Sequence, residues 1–186
     1  IVFNIFKKRF DREAGSLFLK SFKKLDLDGL DNGGFGDILV SNLIKVMIEN
    51  NRNQSSYIKN IDDERQTLFH IAARFSQISK SVLDTLMTNI EKASRSWDNL
   101  LNSKTRKGET ILMIFASNGN FEAIKKLQNI GINIKTRDTH GNNILHKILK
   151  DKSKKNNQLI EGIVEISKKH RELIIQYNRK GQNVFH

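Results

Sequence analysis

One short motif occurs four times along the 186-residue chain and constrains its fold more than any other feature. The motif joins a turn, a polar residue and an apolar pair, and three copies end in histidine. Successive copies are 43, 33 and 40 residues apart. A unit of about 33 residues cannot enclose its own apolar face, so each unit must stack on a neighbour. The copies are DERQTLFH (63–70), RKGETILM (106–113), THGNNILH (139–146) and RKGQNVFH (179–186).

The residues after the motif have the pattern of two short helices joined by a turn. In the second copy an apolar segment, a Gly-Asn turn and an amphipathic segment follow one another. Phe121, Ile124 and Leu127 recur at helical spacing, so they share one face. Asn120 suits the N-cap of this second helix, and Gly131 suits its left-handed C-cap. N-caps of the first helices are predicted at Thr67, Thr110, Asn143 and Asn183.

These residues resemble the repeat of the ankyrin family, G-x-T-P-L-H-x-A-A-x-x-G followed by V-x-x-L-L-x-x-G. The resemblance covers roughly residues 60–186, on the grounds of the repeat period. It implies an all-α solenoid of helix-turn-helix units with short hairpin turns. The matching residues are Thr67, Phe69, His70, Ala72, Ala73, Gly108, Thr110, Leu112, Ala116, Gly119, Ile124, Leu127, Gly131, Gly141, Leu145, His146, Gly181, Phe185 and His186.

The chain departs from the family pattern in ways that predict an irregular solenoid. The usual proline is replaced by Leu68, Ile111, Ile144 and Val184, which removes a preset helical dihedral angle. Phe115, Ile148 and Leu149 stand where the family has alanine, and their bulk should spread or rotate the stacked helices. Two insertions, at 96–105 and 151–158, lengthen the first and third copies.

The segment before the repeats has a different character. Phenylalanines at helical spacing alternate with lysine and arginine over residues 1–25, which predicts a basic amphipathic helix. This helix could cap the open end of the solenoid, lie on an anionic membrane or dock in the groove of a partner.

Because the sequence ends within a motif, we expect a parent protein that continues with another helix pair. The predicted divisions are a helical segment (1–25), an acidic Gly-rich linker (26–37) and a solenoid (38–186), which comprises a degraded repeat (38–61), three repeats (62–104, 105–137, 138–177) and the start of a further one (178–186).

Neither a metal site nor a catalytic site is predicted. The chain has no cysteine, which excludes disulfides and thiolate ligands. His70, His146 and His186 share one repeat position, and stacking keeps equivalent positions about 10 Å apart, too far to converge on a metal. The Gly-rich linker fails as a calcium loop because Leu30 and Leu39 occupy ligand positions. We therefore expect no cofactor and no enzyme activity.

The charge of the chain points to an acidic partner. The net charge is +12, and basic residues recur at the predicted hairpin tips, although Asp63, Glu64, Glu109 and Asp138 dilute them. The predicted function is a non-catalytic scaffold or adaptor that binds an acidic protein face, in the cytoplasm, the nucleus or a host cell. One alternative is an effector or inhibitor of a host or signalling protein. Another is a nucleic-acid binder, which ranks lower because the basic tips lack aromatic residues on which bases could stack. The predicted binding residues are Arg106, Lys107, Arg137, His140, Arg179 and Lys180.

Overall fold

The computed structural model describes residues 64–75, 84, 85, 87, 88, 98–150 and 157–186. The predicted N-terminal helix, the linker and the degraded repeat lie outside these residues. The chain divides into two compact units, Ile1–Leu100 and Leu101–His186, and each is considered by itself.

All regular secondary structure in the described ranges is helical, as the repeat pattern predicts. Two helices with defined bounds begin in the first unit: α1 (Leu68–Phe75) and α2 (Asp98–Leu101), which ends at the first residue of the second unit. The others, in chain order, are α3 (Ile111–Ser117), α4 (Phe121–Asn129), α5 (Ile144–Lys150), α6 (Asn157–Lys169) and α7 (Glu172–Ile175).

Helix α1 begins within the first copy of the motif, DERQTLFH (63–70), which lacks the glycine of the later copies. Its residues Phe69, Ile71 and Ala73 are buried. Arg65 stands where the later copies have glycine, and its φ of 57° makes it the only described non-glycine residue with a positive φ. At this one position the first motif therefore has the left-handed backbone that the later copies have at glycine.

Replacing Arg65 by glycine should raise the free energy of unfolding by about 1 kcal/mol. The left-handed conformation costs an L-residue roughly 1–2 kcal/mol, and the greater freedom of glycine in the unfolded chain cancels part of that gain. Denaturant unfolding of Arg65→Gly beside Arg65→Lys checks this. Equal stability of the two variants would mean that the backbone at this position is not strained.

In the second unit, polar caps set where the helices begin. Thr110 Oγ1 accepts a hydrogen bond from the backbone N–H of Met113, at 3.4 Å, at the start of α3. Asn120 Oδ1 accepts from Ala123 N at 3.1 Å and begins α4. The equivalent residue before α5 is Asn143, whose Oδ1 accepts from His146 N at 3.2 Å. These three N-cap predictions are confirmed.

The helices of this unit form two stacked pairs. The first helices of the pairs, α3 and α5, pack on each other, and so do the second helices, α4 and α6. All residues from Ile111 to Ala116 are buried, which gives α3 no solvent-facing side before Ser117. The bulky Phe115 and Ile148 are also buried, with 0% and 2% of their surface exposed. A helix with this apolar content is stable only between neighbours, because its burial depends on the adjoining pair.

A glycine allows close packing of the second helices. A Cβ on Gly162, in α6, would overlap the ring of Phe121, in α4. The ring therefore occupies the space that any other residue at 162 would need.

Candidate functional site

Three short hairpins in the second unit have the same backbone hydrogen bonds. The first precedes α3, the second precedes α5, and the third follows α7. In the first, Thr105 N donates to Glu109 O at 2.9 Å, and Gly108 N donates to Thr105 O at 2.8 Å. The same two bonds recur from Asp138 to Asn142 and from Asn178 to Gln182. We refer to residues 105–109, 138–142 and 178–182 as the first, second and third tips.

The first residue of each tip also closes the turn with its side chain. Asp138 Oδ1 accepts from the backbone N–H groups of His140 and Asn142, both at 2.8 Å. Asn178 Oδ1 accepts equivalent bonds at the third tip, and Thr105 Oγ1 accepts one from Glu109 N at the first. Sequence reasoning did not assign this turn-closing role to Thr105, Asp138 or Asn178, although Thr, Asp or Asn three positions before a glycine is a turn signal.

Backbone hydrogen bonds join the three tips into one row. Thr139 N donates to Lys107 O at 3.0 Å, and Arg179 N donates to His140 O at 2.8 Å. This contact needs glycine in the preceding tip, because a Cβ on Gly108 would lie 2.8 Å from Thr139 N. Gly141 is similarly close to Arg179 N, at 3.0 Å. Both glycines also have positive φ, so the turn and the stacking require the same residue type.

Four of the six predicted binding residues have free side chains at the ends of this row. Arg106 and Lys107 are exposed on the first tip, and Arg179 and Lys180 are exposed on the third. Within the described part of the chain, these four side chains make no hydrogen bond or ion pair. His140 is exposed on the middle tip, where its Nδ1 lies 3.5 Å from Thr139 Oγ1.

Arg137 has a different position from the other predicted residues. Its Nε donates to Gly141 O at 2.8 Å, and its Nη2 donates to the carbonyl oxygen of Tyr177. The guanidinium group thus fastens the second tip to the chain that enters the third. Its hydrogen-bonding groups are partly used within the protein.

The acidic residues of the tips face inward to a lysine that sequence reasoning did not single out. Lys147 Nζ lies 2.6 Å from Glu109 Oε1 and 2.9 Å from Asp138 Oδ2. The side chains are 10% exposed for Lys147, 14% for Glu109 and 1% for Asp138. We refer to these three residues as the buried ion cluster. A lysine among the apolar residues of the segment ILHKIL, whose only other polar residue is His146, was the signal that could have revealed it.

Hydrogen bonds within the cluster favour the charged forms of Asp138 and Lys147 in spite of burial. Burial of Asp138 opposes ionisation, but hydrogen bonds from Lys147 and Asn142 outweigh it and hold the pKa below 3.8. Burial likewise opposes the charge of Lys147, yet hydrogen bonds to Glu109 and Asp138 raise its pKa above 10.5. Two of the four carboxylates that the sequence placed among the basic tips, those of Glu109 and Asp138, are thus directed toward Lys147 and away from solvent.

Each motif histidine contacts the polar residue that lies three positions before it. The Nδ1 atoms of His70, His146 and His186 lie 2.8 Å from the side-chain oxygens of Thr67, Asn143 and Asn183, respectively. His146 Nε2 also lies 3.0 Å from Gln182 O, which links α5 to the third tip.

No group of three His, Asp or Glu residues within the described ranges could hold a metal ion. Among the same residues, no helix is long and apolar enough to cross a bilayer.

Stacked helix pairs joined by a row of hairpins define an α-helical repeat protein. A family model for ankyrin repeats in three copies matches residues 69–169, over half of the chain. The chain belongs to the ankyrin-repeat family, and the predicted all-α ankyrin solenoid is confirmed. Members of this family are in general protein–protein interaction modules. No curated protein matches the chain significantly.

Proposed function

We propose that this chain is a non-catalytic binding module that holds an acidic face of a partner protein against its row of hairpin tips. The observation that carries this proposal is the separation of charges at the row. The carboxylates of Glu109 and Asp138 face Lys147, whereas the basic side chains at both ends of the row face solvent.

Charge complementarity of this kind sets the association rate and the choice of partner more than the final affinity. Each exposed ion pair contributes about 0.2–1 kcal/mol, so four pairs together would strengthen binding by about fourfold to roughly a thousandfold. Exposed charges are screened by salt, and binding should weaken as ionic strength rises.

His140 belongs to the proposed surface as the exposed residue of the middle tip. Arg137 supports the surface by fastening the second tip. Contact of residues 1–25 with an anionic membrane stays a prediction from the sequence, as do a role as an effector or inhibitor and the cellular location.

Charge reversal at the tips tests the proposal. The probe is a fluorescent ten-residue glutamate peptide, with the glutamine peptide as a neutral reference. The variant Arg106→Glu, Lys107→Glu, Arg179→Glu, Lys180→Glu is expected to bind the probe about tenfold or more weakly, measured by fluorescence anisotropy at low salt.

A matched variant separates the tips from net charge. It reverses four basic residues that are exposed elsewhere in the second unit, namely Lys125, Lys150, Lys168 and Arg171. We expect this control to retain most of the binding, and thermal unfolding should show that both variants fold. An equal loss in both variants would assign binding to net charge, and unchanged binding in the tip variant would remove the tips from the site.

A further inference from the structure

The free positive charge on the row of tips lies in two separate pairs. Arg106 and Lys107 occupy the first tip, and Arg179 and Lys180 occupy the third. The middle tip presents Thr139 and His140 instead. Thr139 is turned toward the first tip, because its Oγ1 donates to Lys107 O at 3.0 Å.

The backbone bonds between tips set the distance between these pairs. Each tip is a short hairpin, and neighbouring hairpins are joined by the bonds from Thr139 to Lys107 and from Arg179 to His140. Hydrogen-bonded segments lie about 4.8 Å apart, so successive tips are about 10 Å apart. The same spacing follows from packed helices, whose axes lie about 8–10 Å apart. The two basic pairs are therefore separated by about 20 Å.

Side-chain contacts hold this spacing fixed. The buried ion cluster joins the first tip to the second, through Glu109 and Asp138. Asn178 Nδ2 donates to Asn142 Oδ1 at 3.0 Å, and Arg137 also reaches the chain entering the third tip. The positions of the two pairs are thus set before a partner arrives, which lowers the entropic cost of binding.

We infer that the partner presents two clusters of carboxylates about 20 Å apart, which an extended acidic segment achieves with about six residues. This inference rests on the proposed function and adds a spacing requirement to it. One acidic cluster would engage Arg106 and Lys107 while the other engages Arg179 and Lys180. Two simultaneous contacts bind more tightly than either alone only when the linker spans the sites.

A set of rigid peptides measures the spacing. Each carries two Asp-Asp pairs separated by one, five or twelve prolines, which places the pairs about 9, 22 and 43 Å apart at about 3.1 Å per residue. The peptide with five prolines is expected to bind the whole chain at least about fivefold more tightly than the other two. The measurement is an NMR titration at low salt, and a single-stranded oligonucleotide of matched charge is titrated in parallel.

Variants that remove one pair complete the test. Arg106→Gln with Lys107→Gln should abolish the preference for five prolines, and so should Arg179→Gln with Lys180→Gln. Binding that does not depend on spacer length would overturn the spacing but leave the proposed function standing. If no acidic peptide binds, or if the oligonucleotide binds more tightly than every peptide, the proposed function is wrong as well.

Discussion

Replacement of Lys147 by methionine is expected to lower the free energy of unfolding by about 3–5 kcal/mol, the usual cost of breaking a buried ion pair. Methionine fills similar space, so the loss is mainly electrostatic. Asp138, with 1% of its side chain exposed, and Glu109, with 14%, would keep their burial and lose their shared cation. Urea denaturation followed by circular dichroism measures the effect.

The pH dependence of stability should change sign in this variant. In the parent chain the lowered pKa of Asp138 stabilises the folded state above pH 3.8. This stabilisation is lost as pH falls through the pKa of Asp138 in the folded state. The raised pKa of Lys147 stabilises the folded state below pH 10.5. This stabilisation is lost as pH rises through the pKa of Lys147 in the folded state. Without the lysine, two neighbouring carboxylates oppose each other's ionisation, so the variant should gain stability as pH is lowered from 7 toward 4.

A neutral version of the cluster provides the control. The variant Lys147→Met, Glu109→Gln, Asp138→Asn removes all three charges and keeps an oxygen at 138 to accept from the tip backbone. We expect it to recover part of the lost stability, because a buried neutral amide costs far less free energy than a buried unpaired carboxylate. If it stays as unstable as Lys147→Met, lost packing rather than unpaired charge explains the defect.

Replacement of Gly162 by alanine should destabilise the chain by about 2 kcal/mol, although alanine normally stabilises a helix interior by about 1 kcal/mol relative to glycine. The new methyl group would overlap the ring of Phe121. Either the ring leaves its position between α4 and α6, or the helices move apart. Thermal unfolding of Gly162→Ala measures the result.

Removal of the ring should reverse the sign of this effect. In a Phe121→Ala background there is no overlap, so Gly162→Ala should become stabilising by up to about 1 kcal/mol through helix propensity alone. This double-mutant cycle isolates the contact between residues 121 and 162. A destabilisation that persists without the ring would show that another neighbour excludes the methyl group.

Features that act within a few residues were determined by the sequence. Thr110, Asn120 and Asn143 could be assigned as N-caps because a cap bonds an N–H three positions away in the same chain. Gly108 and Gly141 marked the tips because a turn with positive φ favours glycine whatever surrounds it. The repetition of these local signals gave the repeat fold and placed the basic residues at the tips.

Contacts between repeats were decided only by the tertiary structure. Lys147 meets Glu109, 38 residues earlier, and Arg137 reaches Tyr177, 40 residues later. Gly162 and Phe121 meet across two helices that are 41 residues apart at these positions. The sequence shows the type of each residue but not which side chains converge, because convergence depends on the offset and rotation of stacked helix pairs. For that reason Glu109 and Asp138 resembled surface acids, whereas packing turned them inward onto a lysine and left the basic tips exposed.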